Sequence, residues 1–375
     1  MIYLDAAATT PVRADVLQAM WPYLSGEFGN PSSAHELGAL ADRALRGARS
    51  DVAAWLGARP SEIVFTASGT EADNLGIQGI ALAAPRGRHV VTSAIEHPAV
   101  AETCEFLARV HGFEVTVVAV DRDGRVDPGR FRAALRPDTT LATVMLASNE
   151  IGTVQPVAEL AAAAHEHGIP FHTDAVQAAG SLGLDVRELG VDALSLSGHK
   201  LGAPKGVGAL FVRGRLSLEP VIHGGGQERG RRSGTENVAF AVALAAAVRG
   251  RRAAGPELSR RRDGFVDEVL RTVPGAVLTG SPADRLPGHA SFCFPGTGGE
   301  IVLLELERQG ILCSSGSACA AGRTEPSPVL LAIGLEPDVA TTAVRFTFGD
   351  DVSDDDLRTT AAALRSVMGS ITALA

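Results

Sequence analysis

The segment FHTDAVQAAGSLGLDVRELGVDALSLSGHK, residues 171–200, contains two short apolar runs that each end in polar side chains. The runs at residues 170–173 and 193–196 are too short for helices, and their nearly continuous apolar character predicts buried strands. The first run ends at Asp174 and Gln177, and the second ends at Ser197, His199 and Lys200. Because ligands bind at the carboxyl ends of strands in parallel sheets, we expect the chemistry of this chain to lie there.

The same alternation of strand and helix patterns extends in both directions from this segment. Strands are predicted in seven places, at residues 63–66, 89–93, 114–120, 140–146, 170–173, 193–196 and 206–212. Helical patterns lie between most of them, as at residues 71–84, 99–111 and 157–167. Buried strands that alternate with helices predict an α/β fold with a mainly parallel sheet covered on both faces.

A second pattern of short strands and helices begins after a long helical stretch at residues 236–272, which is broken at the Gly-Pro pair 255–256. Its predicted strands are 275–278, 289–294, 311–313 and 344–348, and its predicted helices are 299–309 and 353–368. This pattern predicts a smaller α+β domain. We therefore expect a large domain of residues 14–255, with residues 1–13 and 256–375 forming the small one.

Composition excludes several classes of protein. The net charge of −9 argues against a chain that is held to nucleic acid or to anionic lipid by charge. No apolar run approaches the length of a membrane span, and the first residues do not fit a signal peptide. The four cysteines form no CxxC pair and no metal-ligand spacing, so we expect a reducing compartment, the cytoplasm, and no metal.

Two residues after the strands have a functional interpretation and an ordinary one. Asp174 could pair with a protonated ring nitrogen of a cofactor, or it could cap a helix. Lys200 could form a Schiff base, because desolvation lowers the pKa of a lysine amine, or it could reach solvent from a loop. The strand ends alone leave these alternatives open.

Three further segments carry polar groups that suit a phosphorylated or aromatic ligand. The Ser-Gly-Thr-Glu sequence at residues 68–71 could bind phosphate at a helix N-terminus or could simply cap that helix. His97 follows a predicted strand and could stack on a ring or transfer protons, or it could be a buried histidine with a backbone partner. The glycine-rich loop at residues 222–237 could approach a ligand or a partner closely, or it could be a flexible surface loop.

Cys319 lies in the sequence CSSGSACAAG, residues 313–322, among small residues between a predicted strand and a predicted helix. Such a loop offers little for the thiol to pack against, and exposure favours reactivity. The residues of the loop would let its tip swing over on the order of 15 Å, which suits a thiol that visits two places. An incidental exposed cysteine is the alternative.

Taken together, these segments resemble the NifS/IscS-type cysteine desulfurases, which are pyridoxal-phosphate enzymes of the class V aminotransferase family with fold type I. The motifs that carry the resemblance run in family order from residue 4 to residue 349. They are LDAAATTP (4–11), FGNPSS (28–33), EIVFTASGTEADN (62–74), SAIEHPAV (93–100), ASNEIGTVQP (147–156), FHTDAVQ (171–177), SLSGHK (195–200), PKGVGAL (204–210), IHGGGQERGRRSGTEN (222–237), SSGSAC (314–319) and VRFTFG (344–349).

The resemblance implies a binding role for each of several residues toward pyridoxal phosphate. Lys200 would bind the cofactor covalently, Asp174 would pair with its ring nitrogen, and His97 would stack on the ring and transfer protons. Gln177 would meet the phenolic oxygen. The phosphate would be held by four residues of this chain, Gly69, Thr70, Ser197 and His199. Thr235 would join them from the neighbouring subunit of a homodimer.

The resemblance also implies a substrate, L-cysteine, and a route for its sulfur. Arg345 and Asn149 would bind the α-carboxylate, with Asn149 also beside the cofactor and Asn30 adding a contact. Cys319 would attack the substrate sulfur, which leaves alanine and a persulfide on Cys319. An acceptor protein in iron–sulfur cluster assembly or in nucleic-acid thiolation would then take the sulfur.

Alternative functions within the same resemblance are a selenocysteine lyase or a transaminase, and outside it a sulfur carrier without catalysis. Cys319 argues against a transaminase, which needs no such thiol. The presence of Lys200, Asp174 and His97 argues against a carrier, which needs none of them. Ala320, Ala321, Pro328, Gly198 and Asp350 depart from the family's usual residues, and those in the loop bear on the choice of acceptor.

Overall fold

The computed structural model describes residues 1–251, 253–316 and 325–374 of the 375-residue chain. The strands are, in chain order, β1 (Ile2–Tyr3), β2 (Ile63–Thr66), β3 (His89–Ser93), β4 (Glu114–Val118), β5 (Thr139–Thr143), β6 (Phe171–Asp174), β7 (Ala193–Ser197), β8 (Gly208–Val212), β9 (Val277–Leu278), β10 (His289–Cys293), β11 (Ile311–Leu312) and β12 (Ala343–Thr347).

The main sheet has seven strands in the order β2-β8-β7-β6-β5-β3-β4. Strand β8 runs antiparallel to both of its neighbours, and the remaining pairs are parallel. The prediction of a mainly parallel seven-stranded sheet is confirmed. In the pairing of β6 with β7, Asp174 lies opposite Ser195, so the carboxyl ends of these two strands reach the same edge of the sheet.

The helices cover both faces of this sheet and flank a smaller group of strands. None of the helices in the described ranges combines the length and apolar character needed to cross a bilayer. In chain order they are α1 (Ala14–Leu24), α2 (Glu36–Trp55), α3 (Gly69–Ala83), α4 (Pro98–His111), α5 (Pro128–Ala134), α6 (Val157–Glu166), α7 (Val186–Leu189), α8 (Val238–Val248), α9 (Pro256–Thr272), α10 (Gly299–Arg308), α11 (Pro328–Ala332), α12 (Pro337–Ala340) and α13 (Asp354–Leu374).

The long helical stretch predicted over residues 236–272 is interrupted earlier than expected. Helix α8 ends at Val248, and Gly250 takes a left-handed backbone with φ of 69°. Helix α9 begins only at Pro256, whose fixed φ and missing N–H suit the first position of a helix. The glycine explains why the first helix stops well before the Gly-Pro pair.

The strands after residue 255 form a separate group with its own apolar core. Strand β10 lies between β12 and β9 in an antiparallel sheet, and β1 pairs with β11. The rings of Phe265, Phe292 and Phe346 pack edge to face in this core, at centroid distances from 5.3 to 6.2 Å. Leu4 is buried in the same core, so the first residues of the chain fold with the last ones. A domain division near residue 255 stays a prediction.

A buried ion pair joins α2 to the glycine-rich loop at residues 222–237. The guanidinium of Arg49 donates to Glu228 at 2.6 and 2.7 Å and to the carbonyl oxygen of Ile63 at 2.8 Å. The backbone N–H of Phe65 donates to the same carboxylate at 3.2 Å. Glu228 and Arg229 both have left-handed backbones, with φ of 49° and 60°. The ion pair therefore holds a strained turn of the loop against β2.

We expect Arg49→Met to lower the free energy of unfolding by about 3–5 kcal/mol, because it leaves the Glu228 carboxylate buried without its counter-charge. Urea unfolding of the cofactor-free chain measures the loss. The matched control is Arg46→Met on the same helix, since Arg46 pairs with Asp42 in an exposed (i, i+4) bridge. That control should change the unfolding free energy by no more than about 0.5 kcal/mol. Equal losses in the two variants would contradict the prediction.

Candidate active site

A cavity of about 260 Å³ opens at the carboxyl ends of β6 and β7. Every residue predicted to bind the cofactor lines it, except Thr235. The lining consists of Ala8, Ser68, Gly69, Thr70, Asp73, His97, Met145, Ala147, Asn149, Asp174, Val176, Gln177, Ser197, His199 and Lys200. A larger cavity of about 450 Å³ adjoins it between the N-terminal segment and the end of β12, and shares Gln177 and Lys200 with it.

The N-terminus of α3 forms one wall of this cavity. Ser68 caps the helix, with its hydroxyl oxygen accepting from the N–H of Glu71 at 3.1 Å. The capping interpretation of residues 68–71 is therefore correct, and the following residues, Gly69 and Thr70, also line the cavity. A methyl group at Gly69 would lie 2.7 Å from Val176 Cγ2 and 3.2 Å from Ser197 Cβ, so only glycine fits here. The helix terminus is thus open to an anion at its first turn.

Asp174 and Lys200 lie on neighbouring strand ends. The Asp174 carboxylate is buried and accepts a hydrogen bond from the N–H of Val176 at 2.8 Å. Burial raises the pKa of Asp174, while the neighbouring His97 ring, the N–H of Val176 and the charge of Lys200 act in the opposite direction. The Lys200 amine, in the 3-10 turn that follows β7, donates to the carbonyl oxygens of Ala7 and, at 2.7 Å, Ala8. The N-terminal segment therefore holds the amine at the cavity.

His97 caps α4 and reaches the cavity from the end of β3. Its Nδ1 accepts from the N–H of Ala99 at 3.1 Å, so the proton of the neutral ring lies on Nε2. One ring nitrogen of His97 and one oxygen each of Asp73 and Asp174 lie within 4.8 Å of one another. This spacing is within reach of a metal ion, but the hydroxyl and helix-terminus donors along the rest of the cavity suit an anionic organic ligand.

Glu96, which precedes His97, is a buried acid beside the site. Its two carboxylate oxygens accept from the N–H of Met145, each at 3.1 Å, and the Ser93 hydroxyl donates to one of them. Burial raises the pKa of Glu96 to about 8, although these hydrogen bonds act in the opposite direction. The side chain is therefore protonated at neutral pH.

Gln177 and His199 contact the N-terminal segment. Gln177 Nε2 donates to the carbonyl oxygen of Ala7 at 3.0 Å, and His199 Nδ1 lies 3.1 Å from the Thr9 hydroxyl. Burial, and then the charges of Lys200 and Lys205, lower the pKa of His199 to about 4. His199 is therefore a neutral hydrogen-bonding group at the cavity.

Arg345 lies behind Asn149 and outside the cavity lining. Its side chain is buried, and one nitrogen donates to the Asp5 carboxylate at 2.9 Å. Another donates to the carbonyl oxygens of Asn149 at 2.9 Å and Gly316 at 3.1 Å. Arg345 Nε has no hydrogen-bond partner in the described part of the chain. Arg345 therefore does not line the cavity itself, but it contacts Asn149, which does.

The remaining predicted site residues lie elsewhere. Asn30 is exposed, and its side-chain oxygen accepts from the N–H of Ser32 at 2.9 Å. Thr235 lines a different cavity, beside Phe65 and Arg232. Cys319 lies outside the described residues.

Asp73 and Asp5 are two buried or partly buried acids near the site for which the sequence pattern predicts no role. Asp73 lies on α3 among buried residues that include the apolar Leu75 and Ile77. An acid within such a buried pattern is the one sequence signal that could have marked Asp73 as a site residue. Asp5 had no comparable signal, because its partner Arg345 is 340 residues away in the sequence.

Comparison with known proteins now gives the family. The chain matches the family described as Aminotransferase class-V over residues 2–359. The chain belongs to this family. The cysteine desulfurase IscS of Dictyoglomus turgidum is 44% identical over 372 residues, which is 98% of this chain and 94% of that protein. The putative cysteine desulfurase IscS 1 of Bacillus subtilis is 44% identical over 377 residues and 99% of both chains. The predicted membership among the NifS/IscS-type enzymes of this class V family is confirmed.

Solved structures agree with the class V fold. A NifS-like protein superposes with a TM-score of 0.90 at 33% identity, over 98% of this chain and 99% of that one. SspA in complex with cysteine superposes with a TM-score of 0.83 at 39% identity, over 93% of this chain and 99% of that one. The predicted fold type I architecture is confirmed.

The raised pKa of Glu96 predicts a particular pH dependence of stability. The unfolded carboxyl titrates near 4.5 and the folded one near 8, so the unfolded state loses its proton first and the unfolding free energy falls as pH rises between these values. Glu96→Gln cannot ionise and should gain stability relative to the unchanged chain from pH 5 to pH 8. Urea unfolding at the two pH values measures this gain.

The control for this experiment is Glu102→Gln, an exposed glutamate on α4. Its stability difference from the unchanged chain should be the same at both pH values. A pH-independent difference for Glu96→Gln would show that the buried acid does not titrate in this range.

Proposed function

We propose that this chain is a pyridoxal-phosphate-dependent cysteine desulfurase that converts L-cysteine into L-alanine and leaves the sulfur as a persulfide on Cys319. The observation that carries the proposal is the convergence of Lys200, Asp174 and the α3 N-terminus on one cavity. The cysteine desulfurases at 44% identity support the choice of reaction.

The cavity fits pyridoxal phosphate at both ends. Gly69, Thr70, Ser197 and His199 offer backbone and side-chain donors for the phosphate, and the contact of Gly69 with Val176 leaves room for no larger residue. Asp174 would accept from the protonated ring nitrogen at the opposite end, and Gln177 and His97 would contact the ring. When bound, the cofactor supplies an electron sink for charge that develops at the substrate α-carbon.

Lys200 and His97 are the groups that would move protons. The Lys200 amine donates to the carbonyl oxygens of Ala7 and Ala8, so the backbone of the N-terminal segment holds it at the cavity. An amine placed in this way can take the α-proton of the substrate and return a proton to the product carbon. The Nε2 proton of His97 is a further proton at the cavity that could be transferred.

The substrate carboxylate would be bound by Arg345 and Asn149. Arg345 already binds a carboxylate, that of Asp5, at 2.9 Å, and its Nε has no hydrogen-bond partner among the residues that the structure describes. A planar guanidinium suits two parallel hydrogen bonds to a carboxylate. Asn149 connects Arg345 to the cavity, because its carbonyl oxygen accepts from Arg345 and Asn149 itself is a lining residue. We also propose that Asn30 adds a contact to the substrate.

Cys319 is the proposed nucleophile. Burial raises the pKa of Cys104 and Cys313 to about 12 and that of Cys293 to about 11, so none of these three thiols is a thiolate at neutral pH. The Cys319 thiolate would attack the substrate sulfur. The carbon–sulfur bond breaks, its electron pair stays on the substrate carbon, and a sulfur–sulfur bond forms on the enzyme.

The proposal includes partners and a compartment. We propose a homodimer in which Thr235 reaches the phosphate of the neighbouring subunit, and an acceptor protein that takes the persulfide sulfur. Iron–sulfur cluster assembly and nucleic-acid thiolation are the two candidate pathways. The reactive thiol needs a reducing compartment, so we propose that the enzyme works in the cytoplasm.

Cys319→Ala tests the nucleophile. The variant should keep the yellow colour of bound pyridoxal phosphate and lose sulfide formation from L-cysteine by at least about a hundredfold, because no other thiol can take the sulfur. Sulfide and alanine are measured with a reductant present. Cys293→Ala, in β10, is the matched control and should keep both colour and rate. Unchanged sulfide release from Cys319→Ala would reject the mechanism. If the unchanged enzyme formed alanine from L-selenocysteine but not from L-cysteine, a selenocysteine lyase would be favoured instead.

Arg345→Lys tests the carboxylate site. Lysine keeps the positive charge and loses the planar pair of donors, so we expect the KM for L-cysteine to rise about tenfold or more while the cofactor stays bound. Steady-state kinetics and the visible absorbance of the bound cofactor measure the two effects. Arg308→Lys, at the exposed end of α10, should change neither. If Arg345→Lys instead lost the cofactor and left the KM for L-cysteine unchanged, Arg345 would bind the cofactor and not the substrate carboxylate.

A further inference from the structure

Asp73 brings a second buried carboxyl group into the active-site cavity. It lies on α3, one turn after Gly69, and is only 1% exposed. One of its oxygens is within 4.8 Å of an Asp174 oxygen and of a His97 nitrogen. Asp73 Oδ1 has no hydrogen-bond partner in residues 1–251, 253–316 and 325–374. The proposed reaction uses Asp174 and gives Asp73 no part.

A row of buried polar side chains runs under the cavity toward Asp73. The Thr143 hydroxyl lies 2.8 Å from His172 Nδ1, and His172 Nε2 lies 3.0 Å from the Ser195 hydroxyl. Burial lowers the pKa of His172 to about 3, so its ring is neutral and carries one proton. His172 Nε2 is 3.8 Å from Asp73 Oδ1, but a neutral ring supplies no counter-charge.

The glycine at position 76 shows that this row is closely packed. A methyl group there would lie 3.0 Å from His172 Cδ2 and 3.1 Å from Leu210 Cδ1. Helix α3 therefore lies directly on the His172 ring, and Asp73 is fixed above it on the preceding turn. Asp73 cannot move away from the cavity without moving the helix that carries the phosphate-binding terminus.

The charged groups around the two carboxyls favour Asp174 as the ionised one. From the end of β3 come His97 and Glu96, and from the turn after β7 comes Lys200. His97 and Lys200 stabilise the charge on Asp174, as does the N–H of Val176. Among the described residues, the Ser195 hydroxyl is the group that would stabilise a charge on Asp73, while burial and the neighbouring Asp174 carboxylate oppose that charge.

Two carboxylates at this separation in a cavity shielded from water repel each other, and one of them keeps a proton. An unpartnered oxygen such as Asp73 Oδ1 is much less costly to bury in a neutral acid than in an ion. On both grounds the proton belongs on Asp73. A neutral Asp73 can accept a hydrogen bond from the Ser195 hydroxyl. The single negative charge of the pair then lies on Asp174, which has the donors that stabilise it.

Resting on the proposed function, we propose that Asp73 is a positioning residue that stays protonated, so that the carboxyl pair carries one negative charge, located on Asp174 opposite the cofactor's ring nitrogen. Asp73 acts through Asp174 and touches neither substrate nor reacting atoms. Its role is to fix the charge of the pair and the orientation of the Ser195 and His172 side chains beneath it.

A pair of variants of similar shape separates the charge of Asp73 from its hydrogen bonding. Asp73→Asn keeps a neutral polar group, so the cofactor dissociation constant should stay within about twofold, and the pH at which the visible absorbance of the bound cofactor titrates should stay within about 0.3 unit. Asp73→Leu removes the acceptor for Ser195 and should weaken cofactor binding about tenfold. If Asp73 were ionised, Asp73→Asn would shift the titration by on the order of one unit, which would overturn the inference.

Infrared difference spectra of the cofactor-free chain test the proton directly. The unchanged chain minus Asp73→Asn at pH 7 should show the C=O stretch of a protonated carboxylic acid. Because Glu96 is a second buried acid, the band is assigned by its loss in Asp73→Asn and not by its presence. The control Asp51→Asn, at a partly exposed carboxylate paired with Arg249, should show loss of carboxylate bands instead.

Carboxylate bands in the Asp73 difference spectrum would overturn the inference. This readout needs no cofactor and no turnover. A chain that binds no pyridoxal phosphate would therefore refute the proposed function and leave the infrared result on Asp73 standing. Circular dichroism of each variant verifies that it is folded.

Discussion

Burial of the Asp174 carboxylate at the end of β6 is the constraint on which the rest of the site depends. A carboxylate away from water is costly unless charges and donors compensate for it. The compensation comes from three places: the N–H of Val176, the charge of Lys200 and the ring of His97. Each belongs to a different segment, so the position of one acid requires the ends of β6, β7 and β3 to be placed together. The protonated ring nitrogen of the proposed cofactor would add a further positive charge beside this carboxylate.

The sheet topology explains how the N-terminus of α3, the proposed phosphate site, reaches the same cavity. Strand β8 returns antiparallel between β7 and β2, and the turn after β2 leads directly into α3. Gly208 at the start of β8 permits this, because a methyl group there would lie 2.6 Å from backbone atoms of Ser68. The close approach of these two backbones brings the α3 N-terminus to the end of β7, where Ser197 and Lys200 lie.

The parts of the structure that were predictable from sequence are those decided by local pattern. Buried strands such as β6 and β7 are continuous apolar runs, and polar residues at their ends mark the site. Asp73 was not identified as a site residue, because a helix pattern shows that a position is buried but not what it faces. The pairing of Arg345 with Asp5 joins opposite ends of the chain, and no local pattern reports it. The end of α8 at Val248 depends on the left-handed Gly250, which a glycine permits but does not require.

The glycine-rich loop at residues 222–237 is tied by side-chain contacts to the turn before α3, where we propose that the phosphate binds. Glu71, in the first turn of α3, accepts from the N–H of Ala67 at 2.8 Å and pairs with Arg232 of the loop at 2.7 Å. The Arg49–Glu228 pair fastens the same loop to β2, whose end leads into that turn. Backbone strain at Glu228 is tolerated only because these contacts over-determine its conformation. If Thr235 serves the neighbouring subunit, as proposed, the loop that carries it is anchored on the turn that would bind this subunit's own phosphate.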